Sequence, residues 1–569
     1  MKKLIFLFFL VISCLLYSDF IVPQHDPVYE FLEMTNTLKR SNLNHFQYPL
    51  YYNSVMEELA IIAADRTYPF YRNLATFHQQ RLEMNYPQGT RVAVWPPRRF
   101  GESVTGLFRL HPTHQRLLTI TSPEIKEAEQ SRFGSSLFRD YRNRPIEVVE
   151  TPQNETFLYV SGILGYHYDN RIIDNHDVNR TRRYWGIESA GNFASNFGYF
   201  FLFRKGHYYG DAEFIKENPF ITKMGDDYYQ DGNRFYQVDF QSEIDFKNRF
   251  LNLSLGYGSF DIGRSISSSI ILNNEVTPYG YFKFNKSFGS FDYNGITAQL
   301  TPSYEETLVA PATHNSTGRM SEQKEDFKPK GMAIQTLTYK HPVFSLGLGN
   351  SIIYSDRSLD IAYSTPLAIY KIIDNKYHGK DNVLFYGFGE VRPVNGLNIY
   401  GNVLLDDLKK ERFTTDEWMT YLAFQGGILT QMNYLPLEIG GEITAVGPST
   451  YGHKSGSLNY MQDDMLLGHY DGSNFLSSAG RMRFHFSRVS FSFFYENVQQ
   501  GNLGSDPRPE FYNDHEQKFL ADDISRRELF RTNLDLRIIP ELQIFARYDF
   551  QKAENKELHY IYTGAEFKY

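Results

Sequence analysis

The densest set of chemistry-capable side chains lies between Gly447 and Phe475, in GPSTYGHKSGSLNYMQDDMLLGHYDGSNF. It offers Tyr451, His453, Tyr460, Asp463, Asp464, His469, Tyr470 and Asp471. Histidines and aspartates together could ligate a metal or run a hydrolytic acid–base pair. Neither set follows a recognised ligand spacing, such as two histidines four apart on a helix. The favoured reading is a structured loop whose acids and histidines hydrogen-bond internally or line a lumen. A third reading suits sugars: the tyrosines would stack on rings while the His and Asp groups bind hydroxyls. On that reading these eight residues are polysaccharide-binding candidates.

Other chemistry finds little support. Asp406-Asp407 closes an apolar stretch and precedes a basic run, Lys409-Lys410-Glu411-Arg412, which reads as a salt-bridged rim before it reads as an acid–base pair. Asp226-Asp227-Tyr228-Tyr229-Gln230-Asp231-Gly232 lacks the twelve-residue calcium pattern with its terminal Glu and reads as an acidic surface loop. No Gly-x-Ser-x-Gly elbow is present. The one cysteine, Cys14, lies in the N-terminal leader, so the mature chain is expected to have no thiol, disulfide or Cys-ligated zinc. No catalytic set, cofactor or metal is expected, and the chain does not read as an enzyme.

The elements that would position these groups are strands. At the C-terminus Leu542, Ile544, Ala546, Tyr548 and Phe550 alternate with Gln543, Phe545, Arg547 and Asp549. After a polar turn, Ile561, Thr563, Ala565, Phe567 and Tyr569 alternate with Tyr562, Gly564, Glu566 and Lys568. Period two means strands with one apolar and one polar face. A charged face is costly in an ordinary core, but a wall with lipid outside and water inside accepts it. Similar candidates run from Phe157 onward, with weaker ones near Arg183–Glu188, Ala194–Arg204 and Leu359–Ser364. The count approaches roughly 18, and an even number is expected. Tight turns at Asn395-Gly396, Leu435-Pro436 and Ile539-Pro540 contrast with long polar connections at 206–233, 301–331, 446–480 and 499–527. The fold expected is mainly β: an antiparallel outer-membrane β-barrel at 155–569.

Residues 19–84 read differently. Asp26-Pro27 is a helix start, and Val28, Phe31, Leu32, Thr35 and Leu38 fall at helical spacing. Further helices fit Ser54–Ala64 and Phe70–Met84. A small helical bundle is expected, periplasmic or docked onto the barrel. Residues 85–154, broken by prolines, form a connector of uncertain structure.

The bulk numbers agree. Of 569 residues 16% are aromatic, with 42 Tyr and 47 Phe, which suits the aromatic girdles of a barrel. Mean hydropathy is −0.44, and after residue 20 no run of 18 apolar residues exists to span as a helix. Residues 1–18, with Lys2, Lys3 and an apolar run, read as a secretory signal peptide. Val11-Ile12-Ser13-Cys14 also loosely fits a lipoprotein cleavage box. Net charge is −8 with no basic stripe, so nucleic acid is not an expected partner.

Several pieces together resemble the capsule-assembly Wzi family of outer-membrane proteins, as a divergent member. They are Val22–Leu32 (VPQHDPVYEFL), Tyr354 with Ile361–Pro366 (IAYSTP), Asp381-Asn382, Tyr400–Asp407 (YGNVLLDD), Pro448–His453 (PSTYGH), Asn459-Tyr460 and Leu467-Gly468-His469. Their order carries the resemblance. The sequence departs from it after His469, where Tyr470-Asp471-Gly472-Ser473-Asn474 replaces a Pro/Gly-rich stretch. The resemblance implies an 18-stranded barrel with a helical bundle on its periplasmic side. It also implies a lectin-like task, aiding attachment or assembly of capsule or exopolysaccharide. The partners it implies are outer-membrane lipid, surface polysaccharide and, during biogenesis, the barrel-assembly machinery; a monomer in a Gram-negative outer membrane is expected. Two alternatives stay open: a porin or transport channel, and an outer-membrane hydrolase using the His/Asp loop cluster.

Overall fold

The computed structural model describes parts of the N-terminal region between 22 and 82 and, with short interruptions, residues 157–568; the longest interruptions are 303–328, 407–418 and 503–517. The leader, the connector at 85–154 and the terminal Tyr569 lie outside the described residues.

Eighteen antiparallel strands close into one barrel. In chain order they are β1 (Phe157–Ile173), β2 (His176–Phe193), β3 (Phe197–Gly210), β4 (Arg234–Lys247), β5 (Asn252–Gly258) and β6 (Tyr279–Phe288). Then come β7 (Phe291–Leu300), β8 (Lys330–Lys340), β9 (Phe344–Ser355), β10 (Asn382–Val391), β11 (Leu397–Asp406) and β12 (Leu422–Gln431). The last six are β13 (Leu437–Val446), β14 (Phe475–His485), β15 (Val489–Gly501), β16 (Ile524–Ile539), β17 (Leu542–Ala553) and β18 (Lys556–Lys568). The final strand closes the wall against β1, from Ile163↔Lys568 to Ile173↔Leu558. Closure removes the edges that would otherwise template aggregation.

The alternation read at the C-terminus is the alternation of the wall. Ile544, Tyr548 and Ile561 face outward and are exposed, while Arg547, Asp549, Tyr562 and Glu566 face the lumen. In β12 burial alternates from Ala423 onward, with Phe424 and Ile428 outside and Gln425, Leu429 and Gln431 inside. The expected strand at Leu359–Ser364 does not exist. That stretch is a run of turns between β9 and β10, with Tyr363 packed on a neighbouring surface and Leu359 and Ile361 exposed, so it does not extend the wall. Every connection at one end of the barrel is short, and the long ones all lie at the other end, beside the tight β1–β2 and β17–β18 connections.

One long connection turns inward. Residues 259–278, between β5 and β6, are buried almost throughout: Phe260, Ile262, Ile266, Ile270, Ile271, Leu272 and Val276 all join lumenal clusters. Barrel side chains across the lumen satisfy its backbone. Asn402 Nδ2 donates to the Arg264 carbonyl (2.8 Å), Gln425 Nε2 to the Ser268 carbonyl (2.8 Å), and Glu442 accepts the amides of Ile266 (2.8 Å) and Ser267 (3.1 Å). Buried backbone needs such partners, which is why polar side chains line this half of the wall.

The N-terminal helices seat in the turn end of the barrel. Helix α1 (Val28–Thr37) starts where Asp26 Oδ1 accepts the Val28 amide at 2.8 Å, as its N-cap position predicts. Nearly every side of α1 is buried, more than an amphipathic stripe requires, because the wall surrounds it. Its C-terminus meets a short turn, with the Gly396 amide donating to the Thr37 carbonyl at 3.0 Å. Helix α2 (Tyr52–Ala64) and helical residues around Tyr71–Leu82 complete the cluster. Tyr71 Oη donates to the carbonyls of Met432 (2.6 Å) and Leu435 (2.8 Å) at another short turn. Gln47-Tyr48 also pairs in antiparallel fashion with Asp261-Ile262 of the inward segment.

Candidate functional site

The eight candidates from the 447–475 stretch are not brought together on one surface. Tyr451 and Tyr460 are fully buried and stacked 6.0 Å apart; their hydroxyls donate to the carbonyls of Ile270 (2.8 Å) and Ile271 (2.9 Å). They pin the inward segment and offer no ring face to a sugar. The Tyr451 amide is accepted by buried Asp406 at 2.8 Å; Asp407 and the basic run after it lie outside the described residues. His453 holds a local turn, accepting the Ser455 amide at 3.1 Å. Asp463 sits at a positive φ of 54° in the turn joining Met461-Gln462 to Met465-Leu466, and its amide donates to the Thr301 carbonyl; Asp464 beside it is exposed. Of the eight, Tyr470, 38% exposed, lines the open lumen.

His469 and Asp471 do form a cluster, with Ser267, Glu442, Glu496 and Arg527. His469 Nε2 lies 3.2 Å from Ser267 Oγ, and His469 Nδ1 lies 3.8 Å from Asp471 Oδ2. The types are those of a nucleophile, base and orienting acid, but the protons run the wrong way. His469 Nδ1 accepts the Asp471 amide at 3.2 Å, so Nε2 carries the hydrogen and donates to Ser267. Ser267 in turn donates to Glu442 at 2.5 Å. A general base needs its Nε2 lone pair facing the hydroxyl. Burial, helped by Arg527, also holds the His469 imidazole down at about 3. This is a fixed hydrogen-bond chain in which His469 does not face Ser267 as a base.

His469, Asp471 and Glu496 also place ligand-capable atoms within 4.8 Å of one another. A cation already sits there. Arg527 Nη2 is 2.5 Å from Asp471 and 3.2 Å from Glu496, and Tyr470 Oη donates to Glu496 at 2.9 Å. The donor set is met by an internal guanidinium.

Beside this cluster lies an open lumenal cavity of about 820 Å³. It runs between β1, β2 and β14–β18 and is floored by Glu30 of α1. The inward segment and the 447–475 stretch fill the other half of the lumen. Arginines dominate its wall: Arg180, Arg481, Arg483, Arg527, Arg531 and Arg547. Arg531 and Arg547 share one carboxylate, Asp549, at 3.1 and 2.8 Å, and are 31% and 40% exposed. A guanidinium has five N–H donors, so two of them on one carboxylate leave donors facing the cavity. Phe214, on the short helix α3 (Ala212–Lys216), is sandwiched between Arg171 at 4.4 Å and Arg180 at 4.2 Å. Phe494, Tyr560, Tyr562 and Tyr470 add aromatic surface. Reading single motifs missed these residues. The signal was in the strand phase: Arg527, Arg531 and Asn533 share the inward row of β16, whose outward row carries Phe530 and Leu534.

No protein-family model matches the chain, and no curated protein matches it in sequence. Solved structures do. The chain is similar to Wzi, an outer-membrane protein involved in group 1 capsule assembly in Escherichia coli and described as a carbohydrate-binding β-barrel, with a TM-score of 0.55 and 11% identity over 96% of this chain and 99% of that one. It is similar at lower scores to two Pseudomonas aeruginosa proteins. OpdL gives a TM-score of 0.41 and 8% identity over 72% of this chain and 98% of that one. OprD gives 0.40 and 10% over 74% and 99%. At these identities the likeness is one of fold, and the fold is that of an outer-membrane β-barrel.

Proposed function

We propose that this barrel binds a surface polysaccharide in its arginine-lined lumenal cavity and so helps hold capsule or exopolysaccharide at the cell surface, without catalysis. The observation that carries the reading is the pair Arg531–Arg547 on a single Asp549, facing an 820 Å³ space with aromatic walls. Sugars carrying carboxylates or other anions suit such a wall: guanidiniums recognise carboxylate in a bidentate manner, and aromatic rings stack on sugar faces. The ordered motifs resembling the Wzi family, and the carbohydrate binding described for Wzi itself, support the same reading.

Polymer partition tests it. The gene is deleted, and polymer on washed cells is compared with polymer in the medium. Unchanged total polymer that moves to the medium is the expected result, and Arg531→Ala/Arg547→Ala expressed in place of the native chain should reproduce it. An unchanged partition would overturn the anchoring role. Steady ion conductance of the purified chain in planar bilayers would favour the channel alternative.

A further inference from the structure

The described residues of the connection between β9 and β10 (356–377 and 379–381) lie against the outside of the barrel. Strand phase places it there. Met332, Ile334, Ile353 and Leu384 belong to the lumenal core, whereas their alternates Ala333, Ile352, Tyr354 and Val383 form a separate cluster with Tyr363 and Tyr370 of the connection. Farther along the same outer row of β9, Leu346 and Leu348 stand 55% and 72% exposed. The connection therefore folds back from the loop end and covers the lipid-type face of β7–β10.

Its inner side satisfies polar groups that this face would otherwise present to lipid. Asn350 Nδ2 donates to the Ala368 carbonyl at 3.2 Å, and Gln335 Nε2 donates to the same carbonyl. Thr297 and Ser364 hydroxyls meet at 3.1 Å. Several of its charges pair internally, Arg357 with Asp360 (3.1 Å) and Asp381, and Lys371 with Asp374 (3.1 Å), while Lys376 and Lys380 stand exposed toward its end. Between 359 and 372 its outer side is mainly apolar: Leu359, Ile361, Leu367, Ile369 and Ile372 are 53–79% exposed. An extracellular loop in water would gain nothing from that arrangement.

Height on the wall decides what covers this side. A strand rises about 3.3 Å per residue, and a tilt of about 40° leaves roughly 2.5 Å of height. Counting from Phe344 at the short turn, Ile352 stands about 20 Å up, within the roughly 25 Å apolar band of such barrels. The outward face of the connection is continuous with the Leu346–Leu348 row. We infer that residues 356–377 form a membrane-embedded strap whose outer side, centred on Ile361 and Ile372, contacts acyl chains of the outer-leaflet lipid.

The mature chain expected from the sequence has no cysteine, so single-cysteine variants report one position each. Ile361→Cys, Ile372→Cys and Leu359→Cys are labelled with bimane and reconstituted in phosphatidylcholine vesicles containing brominated phosphatidylcholine. Leu348→Cys is the lipid-facing reference and Glu213→Cys, in the 211–233 connection, the water reference. A heat-dependent gel shift confirms that each variant is folded. Quenching at Ile361 and Ile372 equal to that at Leu348, and several-fold stronger than at Glu213, is expected. Quenching no stronger than at Glu213 would overturn the proposal. So would efficient disulfide cross-linking between copies of the Ile361→Cys or Ile372→Cys variant with weak lipid quenching, which would make the face a contact between two chains.

Discussion

Replacing Arg527 with Met tests the reasoning about the buried cluster. Its guanidinium holds Asp471 and Glu496 at 2.5 and 3.2 Å, and those carboxylate side chains are 6% and 0% exposed, against 30% for Arg527. Removing one member of a buried ion pair costs about 3–5 kcal/mol, because a desolvated charge is left behind. Arg527 is partly wet, so a loss of about 2–4 kcal/mol near pH 7.5 is expected. Burial already pushes the Asp471 carboxyl up even with Arg527 in place. Without the guanidinium it takes up a proton readily, so the deficit should shrink as the pH falls. Urea unfolding in detergent, followed by the fluorescence of outward-facing Trp185 and by heat-dependent gel mobility, gives the difference. Adding Asp471→Asn and Glu496→Gln to Arg527→Met should restore most of the loss. A deficit under about 1 kcal/mol, independent of pH, would refute the buried-pair account. A saturable rise in the stability of the unaltered protein with zinc would show that His469, Asp471 and Glu496 prefer a metal.

Three further outcomes are expected. His469 is held down at about 3 while an unfolded histidine titrates near 6.5, so only the unfolded chain gains this proton in between; stability present above pH 6.5 should fall by up to about 1.4 kcal/mol per pH unit below it, and His469→Asn should flatten that slope in urea titrations at stepped pH. A Cβ at Gly349 would meet the Gln335 carbonyl oxygen and Tyr386 Cζ, both at 2.3 Å, so Gly349→Ala should lower stability by about 1–3 kcal/mol in the same assay. Arg531→Ala/Arg547→Ala should weaken binding of an acidic polysaccharide at least about tenfold, with neutral polymer little affected, as read by glycan affinity electrophoresis.

The wall was legible in the sequence because a barrel strand declares itself by period two. Leu253, Leu255 and Tyr257, or Val489, Phe491, Phe493 and Tyr495, alternate with polar neighbours, and the structure sets those rows outward. The N-cap at Asp26 and the seam at 556–568 were equally readable. Two features were not. Residues 259–278 carry Ser-Ile-Ser-Ser-Ser-Ile-Ile, which fits a strand, a loop or a plug equally well; only the acceptors and donors across the lumen, Glu442, Asn402 and Gln425, decide that it turns inward. Leu359–Ser364 has strand-like residues, but its partner surface is the outer wall, contributed by strands on both sides of it. The candidate site was half legible. Tyr451 and Tyr460 stood out by type yet serve the inward segment, whereas Arg531 and Arg547 are inconspicuous in sequence and meet only when β16 and β17 pair, at Arg531↔Asp549 and Asn533↔Arg547.

The floor and the seam have a consequence for how the chain acquires its shape. Arg392 meets Asn36 across 356 residues, Arg483 meets Glu33 across 450, and the seam bond from Tyr184 to Glu566 spans 382. Contacts so distant in sequence form slowly, because loop-closure entropy is lost before any contact rewards it. The helices precede every strand; their apolar cluster takes in Ile163 of β1, Tyr184 and Ala190 of β2 and Phe200 and Leu202 of β3, but their polar partners lie at β10–β14, so those contacts form only once the middle of the wall exists. When β18 reaches β1 the sides of the lumen are sealed, and the helices must by then be inside or enter through a mouth. Closing the seam thus leaves the mouths as the floor's remaining way in or out.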